Sequence, residues 1–118
     1  MKKLNREIGK IGELAAEEFL VKKGFEVILR NFGTRFGEID LVMRDKGILV
    51  FVEVKAKKGL VFGMPEEMFT RGKFERVKRM ATVYLKGKDV PCRIDMAAVV
   101  LDGQNQPVSV KHYENVVM

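Results

Sequence analysis

The segment Glu38-Ile39-Asp40-Leu41-Val42-Met43-Arg44 alternates polar and apolar residues, as does Leu49-Val50-Phe51-Val52-Glu53-Val54-Lys55. Asp45-Lys46-Gly47 between them is a turn signal, and β-branched residues are frequent, so the pattern predicts an antiparallel hairpin. With Lys46-Gly47 as a two-residue loop, a favoured connection, Arg44 faces Leu49 and Val42 faces Phe51. The same register sets Asp40 opposite Glu53 and Glu38 opposite Lys55. The other face is then Ile39, Leu41, Met43, Val50, Val52 and Val54. A slip of one residue would put charges among those hydrophobes, so the pattern specifies the register.

Helical periodicity marks two further stretches. Ile8, Ile11, Ala15, Ala16, Phe19 and Leu20 recur at helical spacing, with Asn5 expected as the N-cap and Lys22-Lys23-Gly24 as the stop. Gly9 and Gly12 weaken helix propensity, which points to close approach of the sheet or a ligand on that face. Glu13 lies on the flank of the apolar stripe, while Glu17 and Glu18 read as solvated helix residues. Pro65 suits the first position of a second helix, in two pieces broken near Thr70 and ended by Gly87. Its buried face is Phe74, Val77, Met80, Ala81, Tyr84 and Leu85.

The remaining runs read as strands. Phe25 to Arg30 is expected as the first, followed by an Asn31-Phe32-Gly33 loop. Arg93 to Leu101 is a largely buried strand, and Asp102-Gly103-Gln104-Asn105 turns it into a last strand from Val108 to Tyr113. The order is α-β-β-β-α-β-β, and the helix between the third and fourth strands implies a crossover to a parallel neighbour. The expectation is an α/β fold: a mixed sheet of about five strands flanked by helices, in one domain spanning residues 1–118.

Composition narrows the function classes. The chain carries a net charge of +6, with 47% hydrophobic and 32% charged residues, which suits a soluble globular protein with a polyanionic partner, nucleic acid before anionic membrane. Cys92 and His112 are the only residues of their kinds, excluding an internal disulfide, a cysteine zinc site and a histidine-rich metal centre. His112, in an apparent strand beside Tyr113, reads as structural. No signal-peptide core opens the chain and no stretch reaches the length of a membrane span, so a cytoplasmic protein without membrane contact is expected.

The predicted hairpin carries an electrostatic problem. Directly opposed strand residues have Cβ atoms about 5 Å apart, and like charges there are destabilising. At an effective dielectric of about 20, two full charges at that separation repel by about 3 kcal/mol. A shared proton, a neighbouring cation such as Lys55, or a bound divalent ion would relieve Asp40 and Glu53. Paired carboxylates suit Mg²⁺ or Mn²⁺, with water and substrate phosphate filling the other positions. The plainer alternative is a surface ion pair between Glu38 and Lys55, with the carboxylates turned to solvent.

Asp40, twelve intervening residues and Glu53-Val54-Lys55 look like the PD-(D/E)xK signature of restriction-endonuclease-like nucleases. A fuller pattern also falls in order: Gly12-Glu13, Arg30-Asn31, Gly37 to Val42, Val50 to Lys55, Gly63 with Pro65, Lys73, and Arg93-Ile94-Asp95. Together these resemble the YraN-like family of small bacterial proteins, related in fold to archaeal Holliday junction resolvases, over nearly the whole chain. The resemblance implies a restriction-endonuclease-like core, with Asp40, Glu53 and the Val54 carbonyl as metal ligands. It further implies that Lys55 orients or deprotonates the attacking water and that Glu13 is a supporting acid. Ala56-Lys57-Lys58 stands where the family often has arginine, so the charge is kept but bidentate phosphate gripping is not. No glutamine follows on the next helix, where some relatives in the wider superfamily use one.

Basic residues surround the expected site. Lys57 and Lys58 leave the catalytic strand, and Arg71, Lys73, Arg76, Lys78 and Arg79 lie in the second helix with Glu75 as the lone acid. Lys57, Lys58, Arg71, Lys73 and Arg76 are the candidate phosphate contacts, giving salt-sensitive binding without sequence preference, whereas Lys78 and Lys86 fit a solvated helix face. No interleaving of aromatic and basic residues marks a surface for single-strand stacking. The reading is a metal-dependent endonuclease acting on DNA, at branched or damaged structures, with RNA a more remote substrate. A two-fold homodimer would suit cutting both strands. The alternative is a non-catalytic nucleic-acid-binding or scaffold module on the same fold.

Overall fold

The computed structural model describes residues 2–118, with side chains from residue 5 onward. Helix α1 (Lys2–Lys22) precedes strands β1 (Glu26–Thr34), β2 (Gly37–Asp45) and β3 (Ile48–Lys58). A 3-10 turn (Pro65–Met68) and helix α2 (Arg71–Leu85) lead to β4 (Cys92–Leu101) and β5 (Pro107–Tyr113). The strands form one sheet in chain order. All neighbours are antiparallel except β3 and β4, which run parallel because α2 crosses between them. The expected α/β order and mixed five-stranded sheet are thus observed.

Each face of the sheet is covered by one helix. Ala16 and Leu20 of α1 pack with Leu41, Met43, Val50, Val52 and Val99, flanked by half-buried Ile8, Ile11, Ala15 and Phe19. On the opposite face Phe74, Val77, Met80 and Ala81 of α2 pack with Val42, Phe51, Met96 and Ala98. Both helical stripes are those the periodicity marks. Gly12 shows why a glycine stands in one of them: a Cβ there would lie 2.5 Å from the Ala56 Cβ. That contact brings α1 down onto β3. Gly9 has no such neighbour within 4 Å.

The hairpin has the predicted register, Arg44 opposite Leu49 and Val42 opposite Phe51, with Asp45 and Ile48 flanking the Lys46-Gly47 loop. Three sequence expectations are corrected. Asn5 does not cap α1, which starts at Lys2 and carries Asn5 inside it; a cap-type residue is no boundary when the helix continues upstream of it. Asn31-Phe32-Gly33 is not a loop but part of β1. Asn31 takes a left-handed φ of 50° within the strand, and the turn falls later, where the Thr34 hydroxyl accepts from the Phe36 amide and donates to the Gly37 carbonyl. Ile39 packs with the α2-side core rather than with Leu41 and Met43, because alternation slips where Asn31 faces Asp40 and the β1–β2 ladder skips that pair.

The second helix matches expectation closely. Pro65 opens the 3-10 turn, and Thr70 caps α2 by accepting from the Lys73 amide at 3.3 Å. Lys86 closes α2 in the left-handed conformation, followed by Gly87 at φ 79°. Among the described residues, no helix is long and apolar enough to cross a membrane.

Candidate functional site

The β2–β3 ladder runs from Asp45 and Ile48 to Leu41 and Val52 and stops there. Beyond that point β2 stays with β1, Ile39 against Phe32 and Glu38 against Gly33. β3 stays with β4, Glu53 against Met96 and Lys55 against Ala98. The two strands therefore part at the acidic residues, and Glu38 and Lys55 do not pair. Asp40 fills the fork: the Val54 amide donates to its Oδ2 at 2.8 Å, so a side chain takes the place of a main-chain acceptor. In a strand the N–H and C=O of one residue point to the same side, so the Val54 carbonyl also faces the fork.

Asp40 and Glu53 share this space at an energetic disadvantage. The Asp40 carboxyl is pushed up to about 9, first by burial and then by hydrogen bonding and charge repulsion from Glu53, with Glu13 adding to the repulsion. The Val54 amide pulls the other way without prevailing. Lys55 Nζ lies 3.6 Å from Glu53 Oε2, with the two side chains 18% and 12% exposed, so the cation expected near the carboxylates is there. Lys73 of α2 comes into the same space. Its ammonium pKa is lowered, first by the charge of Lys55, then by burial and by Arg76. Asp40, Glu53, Lys55 and Lys73 are therefore brought together by three separate elements.

Glu13 stands beside this group rather than within it. Its Oε1 accepts from Asn31 Nδ2 at 2.9 Å, and the left-handed backbone at Asn31 is what lets the consecutive side chains of Arg30 and Asn31 both reach α1. Arg30 holds Glu17 through two hydrogen bonds of 2.6 and 3.0 Å. Glu17, read from periodicity as solvated, is thus an ion-paired residue with 19% exposure. Among the described residues, no group of three His, Cys, Asp or Glu side chains converges. The oxygen donors at the fork are the two carboxylates of Asp40 and Glu53 and the Val54 carbonyl.

The basic candidates divide by what they already contact. Lys57 Nζ donates to the Phe62 carbonyl at 2.6 Å, tying down the loop after β3. Lys58, Arg71 and Arg76 are exposed. Lys78 lies 3.9 Å from Glu75 and over the Phe74 ring, as a solvated helix face requires. A cleft of about 410 Å³ lined by Ile8, Gly9, Lys55, Lys57, Lys58 and Met68 opens beside the fork.

A second polar cluster has a structural role. Asp95 is fully buried; it accepts from Arg93 Nε at 2.8 Å, from the Asn115 amide at 2.9 Å and from His112 Nε2 at 2.8 Å. Lys23 Nζ donates to His112 Nδ1 at 2.8 Å, tying the ring to the end of α1. Arg93 also reaches Asp45 at 3.0 Å. Burial pushes the Asp95 carboxyl up, but the hydrogen bonds from His112, Arg93 and Asn115 outweigh it and hold the group below its ordinary value. The cluster locks the far end of α1, the hairpin turn and the C-terminal segment onto β4. Sequence separation hides it, since Asp95, its partner His112 and Arg93's second partner Asp45 come from three different strands.

Residues 12–99 match the model of an uncharacterised protein family, UPF0102. A UPF0102 protein of Dictyoglomus turgidum is 40% identical over 114 residues, covering 94% of this chain and 97% of the relative. A second, from Symbiobacterium thermophilum, is 44% identical over 99 residues, covering 81% of this chain and 84% of the relative.

Proposed function

We propose that this chain, which belongs to the uncharacterised protein family UPF0102, is a divalent-metal-dependent endonuclease that hydrolyses DNA phosphodiester bonds. The observation that carries the reading is the Asp40–Glu53 pair at the strand fork, where burial and mutual repulsion hold a proton on Asp40 far above the ordinary carboxylate range. A divalent cation would offset the repulsion within such a pair. Two carboxylates and one carbonyl form an all-oxygen set that suits Mg²⁺ or Mn²⁺ with water and phosphate completing the shell.

Asp40, Glu53 and the Val54 carbonyl would hold the ion, which would supply a water of lowered pKa and neutralise charge developing on the phosphate. Lys55, kept in place by Glu53, presents a cation to the scissile phosphate and orients the attacking water. Lys73 and exposed Arg76 extend positive charge from α2 along the nucleic-acid backbone. Glu13, steadied by Asn31, would add a further carboxylate on the α1 side of the fork, which favours a cation between it and Asp40.

Incubating supercoiled, linear, single-stranded and four-way-junction DNA with the protein and Mg²⁺ or Mn²⁺ tests this. Cleavage is expected, abolished by EDTA and by each of Asp40→Asn, Glu53→Gln and Lys55→Ala. Cleavage that survives all three substitutions would overturn the mechanism. Metal-independent retention of DNA without cleavage would favour a binding module on the same fold.

A further inference from the structure

The loop between β3 and the 3-10 turn presents Leu60, Val61 and Phe62 to solvent, 53%, 88% and 90% exposed. Three consecutive apolar residues at the rim of a basic surface have an unfavourable hydration free energy that packing within the chain does not relieve. The loop is nevertheless held in place. Its first end is fixed by the Gly59 amide donating to the Leu101 carbonyl at 2.9 Å, and its tip by the Gly63 amide donating to the Leu60 carbonyl at 3.2 Å. Lys57 Nζ clamps the Phe62 carbonyl at 2.6 Å. Gly59 and Gly63, at φ 74° and 102°, supply the backbone that only glycine adopts readily. A phenyl side chain on a fixed loop backbone is therefore offered to solvent next to Lys57, on the strand that carries Lys55.

We propose that Phe62, with Val61 beside it, stacks on an unpaired nucleic-acid base next to the cleaved phosphate, so that the protein prefers substrates with locally unstacked bases. The inference rests on the nucleic-acid reading of the Asp40–Glu53 site. Charge complementarity selects the occupant: the lysines hold backbone phosphates while the ring takes a base face, the pairing of groove and platform that single-strand binders use. A strand rise of about 3.3 Å per residue puts Lys57 about 7 Å beyond Lys55, close to the spacing of adjacent phosphates. A perfect duplex has no base free to meet the ring; a flap, gap or branch point has one. The sequence hides this surface, because the loop's fold alone returns Phe62 to Lys57.

The chain has no tryptophan, so Phe62→Trp places a single indole reporter at an exposed position. Titrating this variant in EDTA with oligothymidylate, a 5′-flap and a blunt duplex of matched sequence should quench its emission with the first two and not the third. Phe62→Ala should weaken flap binding about tenfold in fluorescence anisotropy, the effect of losing one stacked base, and leave duplex binding unchanged. Equal binding of flap by wild type and Phe62→Ala, or no quenching by any DNA, would overturn the proposal. So would an emission blue shift with phosphatidylserine vesicles in place of quenching by DNA, which would assign the loop to a membrane surface. Cleavage plays no part in these readings. Quenching by a protein that never cleaves under Mg²⁺ defeats only the nuclease reading, and cleavage without Phe62-dependent discrimination defeats only this one.

Discussion

The Val54 amide donates to the Asp40 carboxylate at 2.8 Å across the point where the β2–β3 ladder ends. One hydrogen bond thus fixes the carboxylate in the fork, aims the Val54 carbonyl into the same space, and sets Asp40 beside Glu53.

That geometry has a pH signature. The folded-state pKa of Asp40 lies above its ordinary value of 3.8, near 9. Between those values the folded chain binds more protons than the unfolded one, so this group's stabilising contribution is full below about pH 4 and is lost as pH rises towards 9. In EDTA, urea denaturation should therefore show Asp40→Asn gaining stability on wild type at pH 8, because the wild-type chain must take up a proton on folding there and asparagine need not. The gain should vanish near pH 4. A constant difference across that window would show that Asp40 does not titrate in it.

Asp95 should behave in the opposite sense. Its folded-state pKa is held below 3.8, so its contribution is full above the unfolded value and disappears as pH falls through the lowered one. Replacing it with alanine removes the buried acceptor shared by Arg93, His112 and the Asn115 amide and should lower the unfolding free energy by about 3–5 kcal/mol at neutral pH. Chemical denaturation of Asp95→Ala at pH 7 provides the check, with retained wild-type stability as the contrary result.

Gly12 tests how the first helix is seated. Alanine there would drive its methyl into the Ala56 Cβ at 2.5 Å, and relieving that overlap should cost about 1–3 kcal/mol. The same change at Gly9, where nothing lies within 4 Å, should be neutral or mildly stabilising through helix propensity. Thermal melts should place Gly12→Ala below wild type and Gly9→Ala at or above it; equal shifts would refute the close-approach role.

Lys73 and Arg76 should act on affinity rather than folding. If each neutralises one phosphate, Lys73→Ala or Arg76→Ala should reduce the slope of log affinity against log salt by about 1. Lys78→Ala, already occupied with Glu75, should leave the slope unchanged. Anisotropy titrations across a salt series would separate the three.

The site was legible in the sequence where local pattern decides it. Alternation and the Lys46-Gly47 loop imply the hairpin register and hence the meeting of Asp40 with Glu53, because one slipped residue would bury charges. The parting of the strands beyond Leu41 and Val52 was not legible, since it depends on β1 and β4 drawing each strand outward. Nor was the slip at Ile39, which follows from the left-handed Asn31 on the neighbouring strand. Charge and motif position single out Lys73, yet its approach to Lys55 comes from packing α2 against the sheet. The Arg30–Glu17 pair and the Asp95 cluster join residues far apart in the chain, where periodicity carries no signal.

The claim that Asp40 and Glu53 form a divalent-cation site is tested most directly by calorimetric titration of Mn²⁺ into the protein at pH 8. The account predicts one binding event per chain, accompanied by proton release as Asp40 gives up its proton, and lost in both Asp40→Asn and Glu53→Gln. No binding by the wild-type protein, or unchanged binding by the two variants, would contradict it.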